Sequence, residues 1–360
     1  MKILVLPKYH EEGSSSRYRY YNYREYFKQS GDMLFFLPLL YNGYVDDLYK
    51  KKNKLKRVAG MAYGILYRAA YLLAKRSRFD LLIIEKELFT YCPGFIEQLL
   101  LGKTAYVLDF DDNITARYLH HPLLKKILGG KISTLAEKAA LVTAGNHWYG
   151  SIFSRTTRLK YLPTVVFFDR YQAQPAGLEK STKPVSIVWI GSPGTARYLT
   201  LLEKILASLA SDHNIELVVI GANIQIPNIP MRTLQWSAAT EAEELSKCHI
   251  GIMPLEDTLW EKGKCGFKLI QYMAAGLPVV GSPLPANLEI ITEETGFIAN
   301  DLQEWGEHLS LLINSPELRE TMGQAGRKRV KEHYSYERWG PEFVKMIHAI
   351  DIRDHAKKQI

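Results

Sequence analysis

The six residues Gly263-Lys264-Cys265-Gly266-Phe267-Lys268 combine two glycines and two lysines, directly ahead of the apolar-patterned stretch Leu269-Ile270-Gln271-Tyr272-Met273. Small residues let backbone N–H groups approach a ligand, lysines can face phosphate oxygens, and the N-terminus of a following helix favours negative charge. The run therefore reads as an anion site. Leu269, Ile270 and Met273 give the helix an apolar face, Gly276 can cap it in the left-handed conformation, and Pro278 stops it before Val279 and Val280 enter a sheet. A second glycine loop, Gly191-Ser192-Pro193-Gly194-Thr195-Ala196-Arg197, follows an apolar run and opens a helix. Thr195 can cap that helix, and Arg197 supplies a guanidinium fork suited to diphosphate.

The first half of the chain offers different chemistry. Asp109-Phe110-Asp111-Asp112-Asn113 sets several carboxylates at a strand end, where paired acids bind metal, orient a hydroxyl or serve as a general base, or else simply cap a helix. No histidine or cysteine accompanies them at metal-ligand spacing, so no metal site is expected. In Gly145-Asn146-His147-Trp148 the Asn146 amide can both donate and accept, while a lone loop histidine such as His147 is more often structural than catalytic. The loop Glu11-Glu12-Gly13-Ser14-Ser15-Ser16-Arg17 follows the first strand, so Gly13, Ser14, Ser15 and Arg17 are expected to border the ligand crevice. An ordinary strand-to-helix connection with a serine N-cap is the other reading.

These groups need elements to position them. Apolar runs at 34–40, 81–84, 105–108 and 141–144 predict buried strands, and a helix through Tyr23 and Phe27 follows the serine loop. Residues 172–184 are polar and turn-forming and predict a linker. Beyond them strand 185–190, helix 198–210, strand 215–220, helix 240–247 and strand 250–253 alternate, which implies a parallel, doubly wound sheet. The expected organisation is a first domain over 1–171, the linker, and a second domain over 185–339. A C-terminal helix over about 340–360 is expected to pack back on the first domain.

Composition narrows the partners. The 360 residues suit two ordinary domains, and 47% hydrophobic with 23% charged residues is the balance of a soluble globular protein. Three widely spaced cysteines make no disulfide framework, which suits a reducing cytoplasm. The net charge of +8 is uneven: residues 1–180 hold 28 Lys and Arg against 16 Asp and Glu, residues 181–360 hold 18 against 22. The basic half also holds 18 of the 22 tyrosines. Without a recognition motif this charge does not point to nucleic acid; an anionic lipid surface or a phosphate-bearing acceptor fits better. The basic run Lys50-Lys51-Lys52-Asn53-Lys54-Leu55-Lys56-Arg57 precedes an apolar stretch at 58–74 interrupted by Gly60, Gly64 and Arg68. That stretch falls short of the roughly 20 apolar residues of a transmembrane helix. It reads either as an interfacial helix with basic flanks or as a solvated lysine run beside a domain helix.

Taken together the residues resemble the retaining glycosyltransferases of family 4. The resemblance extends to Ile250-Gly251-Ile252-Met253-Pro254-Leu255, Asn287-Leu288-Glu289-Ile290-Ile291, Thr295-Gly296-Phe297, Trp189-Ile190-Gly191-Ser192 and Pro163-Thr164-Val165-Val166. It implies an α/β fold of GT-B type, with two Rossmann-like doubly wound parallel-sheet domains facing a central cleft. It also implies metal-independent, retaining transfer from a nucleotide-diphosphate sugar to a glycan or lipid-linked acceptor, in cell-surface polysaccharide or glycoconjugate synthesis. The nucleotide sugar is a co-substrate and no cofactor is implied. On this likeness Gly191, Ser192, Arg197, Lys264, Gly266, Phe267, Lys268 and Gln271 bind the donor, and Asp111, Asp112, Asn146 and His147 are the catalytic candidates. The loop of Gly13, Ser14, Ser15 and Arg17, with the tyrosine-rich first domain, is assigned to the acceptor. The place implied is the cytoplasm, with peripheral contact on the inner face of the membrane.

Many members of that family carry two glutamates where this chain has Gly263 and Gln271. Gln271 can still bond ribose hydroxyls through its amide, whereas Glu261 or the backbone must replace any contact from position 263. Two other functions stay open: a GT-B epimerase or phosphorylase on a related donor, and a catalytically weak subunit that binds nucleotide sugar or glycolipid.

Overall fold

The computed structural model describes residues 1–50, 52–153, 158–171 and 184–352. Lys51 and positions 172–183 of the expected linker lie outside the described residues. Two compact units result, Met1–Thr164 with Trp339–Ile360, and Val165–Arg338.

The first unit is built on a parallel sheet in the order β2-β1-β3-β4-β5-β6, where β1 is Lys2–Leu6, β2 Met33–Phe36, β3 Leu81–Glu85, β4 Tyr106–Phe110, β5 Leu141–Ala144 and β6 Leu159–Tyr161. The central strands β3, β4 and β5 are buried at every residue, which explains their near-continuous apolar sequence, broken only by Glu85, Asp109 and Thr143. The second unit repeats the plan in the order β12-β11-β10-β7-β8-β9. Here β7 is Val185–Ile190, β8 Ile215–Ile220, β9 Met231–Leu234, β10 Ile250–Met253, β11 Val279–Gly281 and β12 Gly296–Ile298. In such sheets ligands bind outside the carboxyl ends of the strands where strand order reverses. Those points lie between β1 and β3 in the first unit and between β7 and β10 in the second.

Several local expectations need correction. The helix after β1 starts at Ser14, inside the serine loop, and does not run unbroken through Tyr23: it is Ser14–Arg19, a 3-10 turn Tyr21–Tyr23, then Arg24–Gln29. Its N-cap is Gly13, not a serine, and a side chain there would bring Cβ within 2.3 Å of Tyr9. The break at Tyr20 lets Arg19 and Tyr20 both reach Asp109. The run at 34–40 is strand only as the short edge strand β2. Of the tyrosines of the first unit, Tyr18, Tyr20, Tyr21, Tyr23, Tyr106, Tyr118 and Tyr149 are buried in the core, while Tyr49, Tyr63, Tyr67 and Tyr91 are exposed.

The C-terminal helix Tyr336–His348 returns the chain to the first unit. Phe343 packs edge-on against Tyr23 and Phe27, and His348 Nε2 lies 2.7 Å from Asp32 Oδ2. Residues 165–171 belong with the second unit: Val166 bridges to Ser335, and the Tyr171 carbonyl accepts from Arg327 at 2.9 Å.

Candidate functional sites

The second-unit site forms at the carboxyl ends of β7 and β10. Tyr272, on the helix Phe267–Ala274, stands between these strands: its hydroxyl accepts from Ile190 N at 2.9 Å and donates to the Ile252 carbonyl at 3.3 Å. Gly251 leaves room for the ring, since a Cβ there would lie 2.4 Å from it. The helix is thus locked against both strands with its N-terminus at the strand ends. Gly266 caps it at φ 61, and a Cβ at that position would meet Ile290 Cδ1 at 2.3 Å, so both conformation and space demand glycine.

Gly191 and Lys268, 77 positions apart in sequence, meet here. A Cβ on Gly191 would lie 2.9 Å from Lys268 Cε and 2.6 Å from the Trp189 ring, over which Lys268 Nζ sits at 5.5 Å. Ser192 holds the same turn by accepting from Thr195 N at 3.0 Å. Arg197 is exposed, pairs with Glu256 at 3.4 Å and donates to the Tyr198 hydroxyl at 3.0 Å. Lys264 and Phe267 are half-buried on the glycine loop beside it. These residues gather on one edge of the unit. Gln271 lies a turn deeper, buried, with Nε2 3.4 Å from the Tyr171 hydroxyl. Glu261 does not reach outward as the sequence suggested: it is buried and its carboxylate accepts from Tyr198 and Thr258. Burial and that contact push the Tyr198 hydroxyl up to about 12.

The first-unit site forms at the carboxyl ends of β1, β3 and β4. β3 ends at Glu85 and leads into Lys86-Glu87, with Lys86 at φ 65 and Glu87 N donating to the Glu85 carbonyl at 2.7 Å. This is a tight three-residue turn in a strained conformation, of the kind that concentrates at functional sites. It aims Lys86 Nζ at Asp111 Oδ1, 2.5 Å away, and at Asp112 Oδ2, 3.3 Å away. Ser15 bonds Asp111 from the other side. Glu85 is buried; one oxygen accepts from Lys8 N at 2.7 Å and from Ser16 Oγ at 2.6 Å, and the other has no hydrogen-bond donor, only Lys86 Nζ at 3.9 Å.

The charges set one another. Burial alone would lower the Lys86 ammonium, but Asp111, Asp112 and Glu85 together hold it well above the usual lysine range. Burial would raise Asp111; the charges of Lys86 and Arg19 and the bonds from Lys86 and Ser15 outweigh it and hold the carboxyl below its ordinary value. For Glu85 burial wins, with Asp111 adding to it, and the carboxyl sits above the ordinary range. Asp109, first in the acid run, is structural: Arg19 grips both its oxygens, and Tyr20 and Thr143 donate to them at 2.8 and 2.6 Å.

The structure brings Ser15, Asp111 and Asp112 together. Asn146, buried, and His147, exposed, follow β5, the neighbour of β4, and the His147 ring stacks on Tyr161 at 4.3 Å. Gly13 packs on Tyr9, and Arg17 donates to the Glu11 carbonyl at 3.2 Å, within the loop itself. Sequence reasoning missed Lys8, Glu85 and Lys86. The signal was a charged triplet, Glu85-Lys86-Glu87, directly after an apolar strand. Among the described residues no group of three or more His, Cys, Asp or Glu side chains is placed to hold a metal ion.

Residues 184–315, within the second unit, match the family model described as Glycosyl transferases group 1. Solved structures match almost the whole chain. Anabaena Alr3699/HepE, in complex with UDP, has a TM-score of 0.71 at 11% identity, covering 97% of this chain and 100% of that one. Sucrose-phosphate synthase from Thermosynechococcus elongatus has 0.69 at 12%, covering 97% and 98%. WaaG, a glycosyltransferase involved in lipopolysaccharide biosynthesis, has 0.65 at 14%, covering 97% and 100%. No curated protein matches the chain. At these identities the likeness is one of fold, and the fold is GT-B: two Rossmann-like units, each on a six-stranded parallel sheet.

Proposed function

We propose that the protein is a retaining, metal-independent glycosyltransferase of family 4. It moves a sugar from a nucleotide diphosphate to a glycan or lipid-linked acceptor, in cell-surface polysaccharide or glycoconjugate synthesis at the cytoplasmic face of the membrane. The observation that carries this reading is the meeting of Gly191 and Lys268 at the β7–β10 switch point, beside the N-terminus of a helix capped by Gly266. Alr3699/HepE has been solved with UDP and with UDP-glucose, which supports a nucleotide sugar as the donor.

In transfer the bond from the sugar's anomeric carbon to the diphosphate oxygen breaks, and a bond to the acceptor oxygen forms on the same face. Negative charge grows on the leaving diphosphate, and Lys264, Lys268, Arg197 and the helix N-terminus stabilise it there. Gln271 serves the ribose. In the first unit, Asp111 and Asp112 orient the acceptor hydroxyl. Because Asp111 is held low, it accepts a hydrogen bond well and takes a proton poorly. The hydroxyl proton therefore leaves with the diphosphate oxygen. Asn146 and His147 complete the sugar contacts from the end of β5.

The test is turnover of a panel of nucleotide sugars with glycan and lipid-linked acceptors, with and without a chelator, and with the product anomer read by NMR. A retained anomer made in the presence of chelator is expected. Hydrolysis, epimerised donor or an inverted product would replace this reading with one of the alternatives.

A further inference from the structure

The helix Lys54–Lys75 is inverted relative to a helix of a water-soluble surface. Its single internal charge, Arg68, points inward and is buried, donating to the carbonyls of Leu37 at 2.7 Å, Pro7 at 2.5 Å and Leu88 at 3.3 Å. Gly64 lies so close to the Leu39 carbonyl that a Cβ would come within 1.9 Å of it. These contacts fix which way the helix faces. Its outward side carries Leu55, Ala59, Ala62, Leu66, Ala70 and Leu73, at the three- and four-residue spacing of one helical stripe. Leu55, Leu66 and Leu73 are 86%, 71% and 60% exposed. Tyr63 and Tyr67 stack at 5.8 Å along its flank, both exposed. A solvated face would carry charge; this one has none between Arg57 and Lys75.

We infer that this stripe inserts into the interfacial layer of an anionic lipid bilayer and docks the first unit there. The inference takes its partner from the membrane-surface reading above and rests on it. Charge selects lipid over a second copy of the chain. Between Asp47 and Asp80 there are ten Lys and Arg and no acid, and all but the buried Arg68 cluster at the two ends of the helix. Lys50 and Lys56 are paired with Asp46 and Asp47, which leaves Lys52 and Lys54 exposed at one end and Lys75 and Arg78 at the other. Two copies of the helix would set like charges together in either direction, whereas anionic headgroups neutralise both ends at once. Tyrosines beside an apolar stripe suit the headgroup boundary. Among the described residues no helix is long and apolar enough to cross a membrane, so the helix, about 33 Å long at 1.5 Å per residue, lies along the surface. The helix Gly94–Leu101, whose Leu99 and Leu100 carbonyls accept from Arg76, exposes Phe95 and Leu99 beside it.

The full chain is floated with vesicles of phosphatidylcholine alone or mixed with phosphatidylglycerol. Wild type is expected to float with the mixed vesicles and to lose binding as salt rises. A Leu55→Gln, Leu66→Gln, Leu73→Gln variant is expected to lose about tenfold or more of its partitioning at every salt concentration. A Lys52→Gln, Lys54→Gln, Lys75→Gln variant should lose it mainly at low salt. Unchanged thermal melting shows that each variant is folded. Failure of wild type to float, equal binding to neutral vesicles, or a dimer that the leucine variant dissolves would overturn the inference. UDP binding, measured alongside by calorimetry, tests the donor reading separately, because the substituted residues lie in the first unit.

Discussion

The Lys86 ammonium bridges Asp111 Oδ1 at 2.5 Å and Asp112 Oδ2 at 3.3 Å, so the two acids legible in the sequence are held by one lysine that was not. Lys86→Met removes that bridge and leaves Asp111 and Asp112 to repel each other. Sugar transfer is expected to fall by about 100-fold, the order expected when a substrate-orienting group is misplaced by an ångström. UDP affinity, which the proposed reading assigns to the second unit, should be unchanged. Lys86→Arg keeps the charge and should recover part of the rate; transfer at the wild-type rate in Lys86→Met would remove the cluster from the reaction.

The same cluster sets the response to acid. Asp111 binds its proton more weakly folded than unfolded, so its stabilising contribution is complete above the unfolded value of about 3.9 and is lost as pH falls through the lower folded value. Glu85 has the opposite sign: its folded carboxyl holds a proton more tightly, so stability recovers as pH falls toward the unfolded value of about 4.3. Urea midpoints measured from pH 7 to pH 3 are expected to show Asp111→Asn flattening the acid limb, and Glu85→Gln steepening the decline by removing the compensating gain.

At the other site, Lys268→Ala should weaken UDP binding by about 1.5–3 kcal/mol, the range for a charge-assisted hydrogen bond. Gly191→Ala should act through the same lysine, because its methyl would displace Lys268 Cε or the Trp189 ring. Calorimetry of the two single variants and the double variant tests the coupling. Effects that simply add would separate the glycine from the lysine.

Gln271 offers a finer measurement. Gln271→Leu leaves both ribose hydroxyls and the buried Tyr171 hydroxyl without their amide partner, and should cost about 1–3 kcal/mol of UDP affinity. Gln271→Glu restores a strong acceptor to both and should bind as tightly as wild type or tighter. If all three proteins bind UDP alike, the amide serves Tyr171 alone.

The sequence made the second unit legible because its strands and helices alternate in long, strongly apolar runs. The short edge strands β6 and β9 were not legible: each is three or four residues long with an exposed or half-buried pattern, and only pairing with a neighbour defines it. In the site, loop glycines and lysines declared themselves through local spacing. Glu85, Lys86 and Arg19 did not, because their roles come from partners 20 to 90 positions away, brought together only by strand order. Individual tyrosines were not placed by the sequence for a related reason: a ring with a hydroxyl is equally at home at a sugar and in a core, and burial decides between them.

Arg68 makes the greasy helix indispensable to the fold that carries it. Its guanidinium donates to the carbonyls of three segments that follow β1, β2 and β3, and deleting the Lys54–Lys75 helix would take that shared donor from all three. Any change to the outward stripe must therefore be made one side chain at a time, with the helix kept in place.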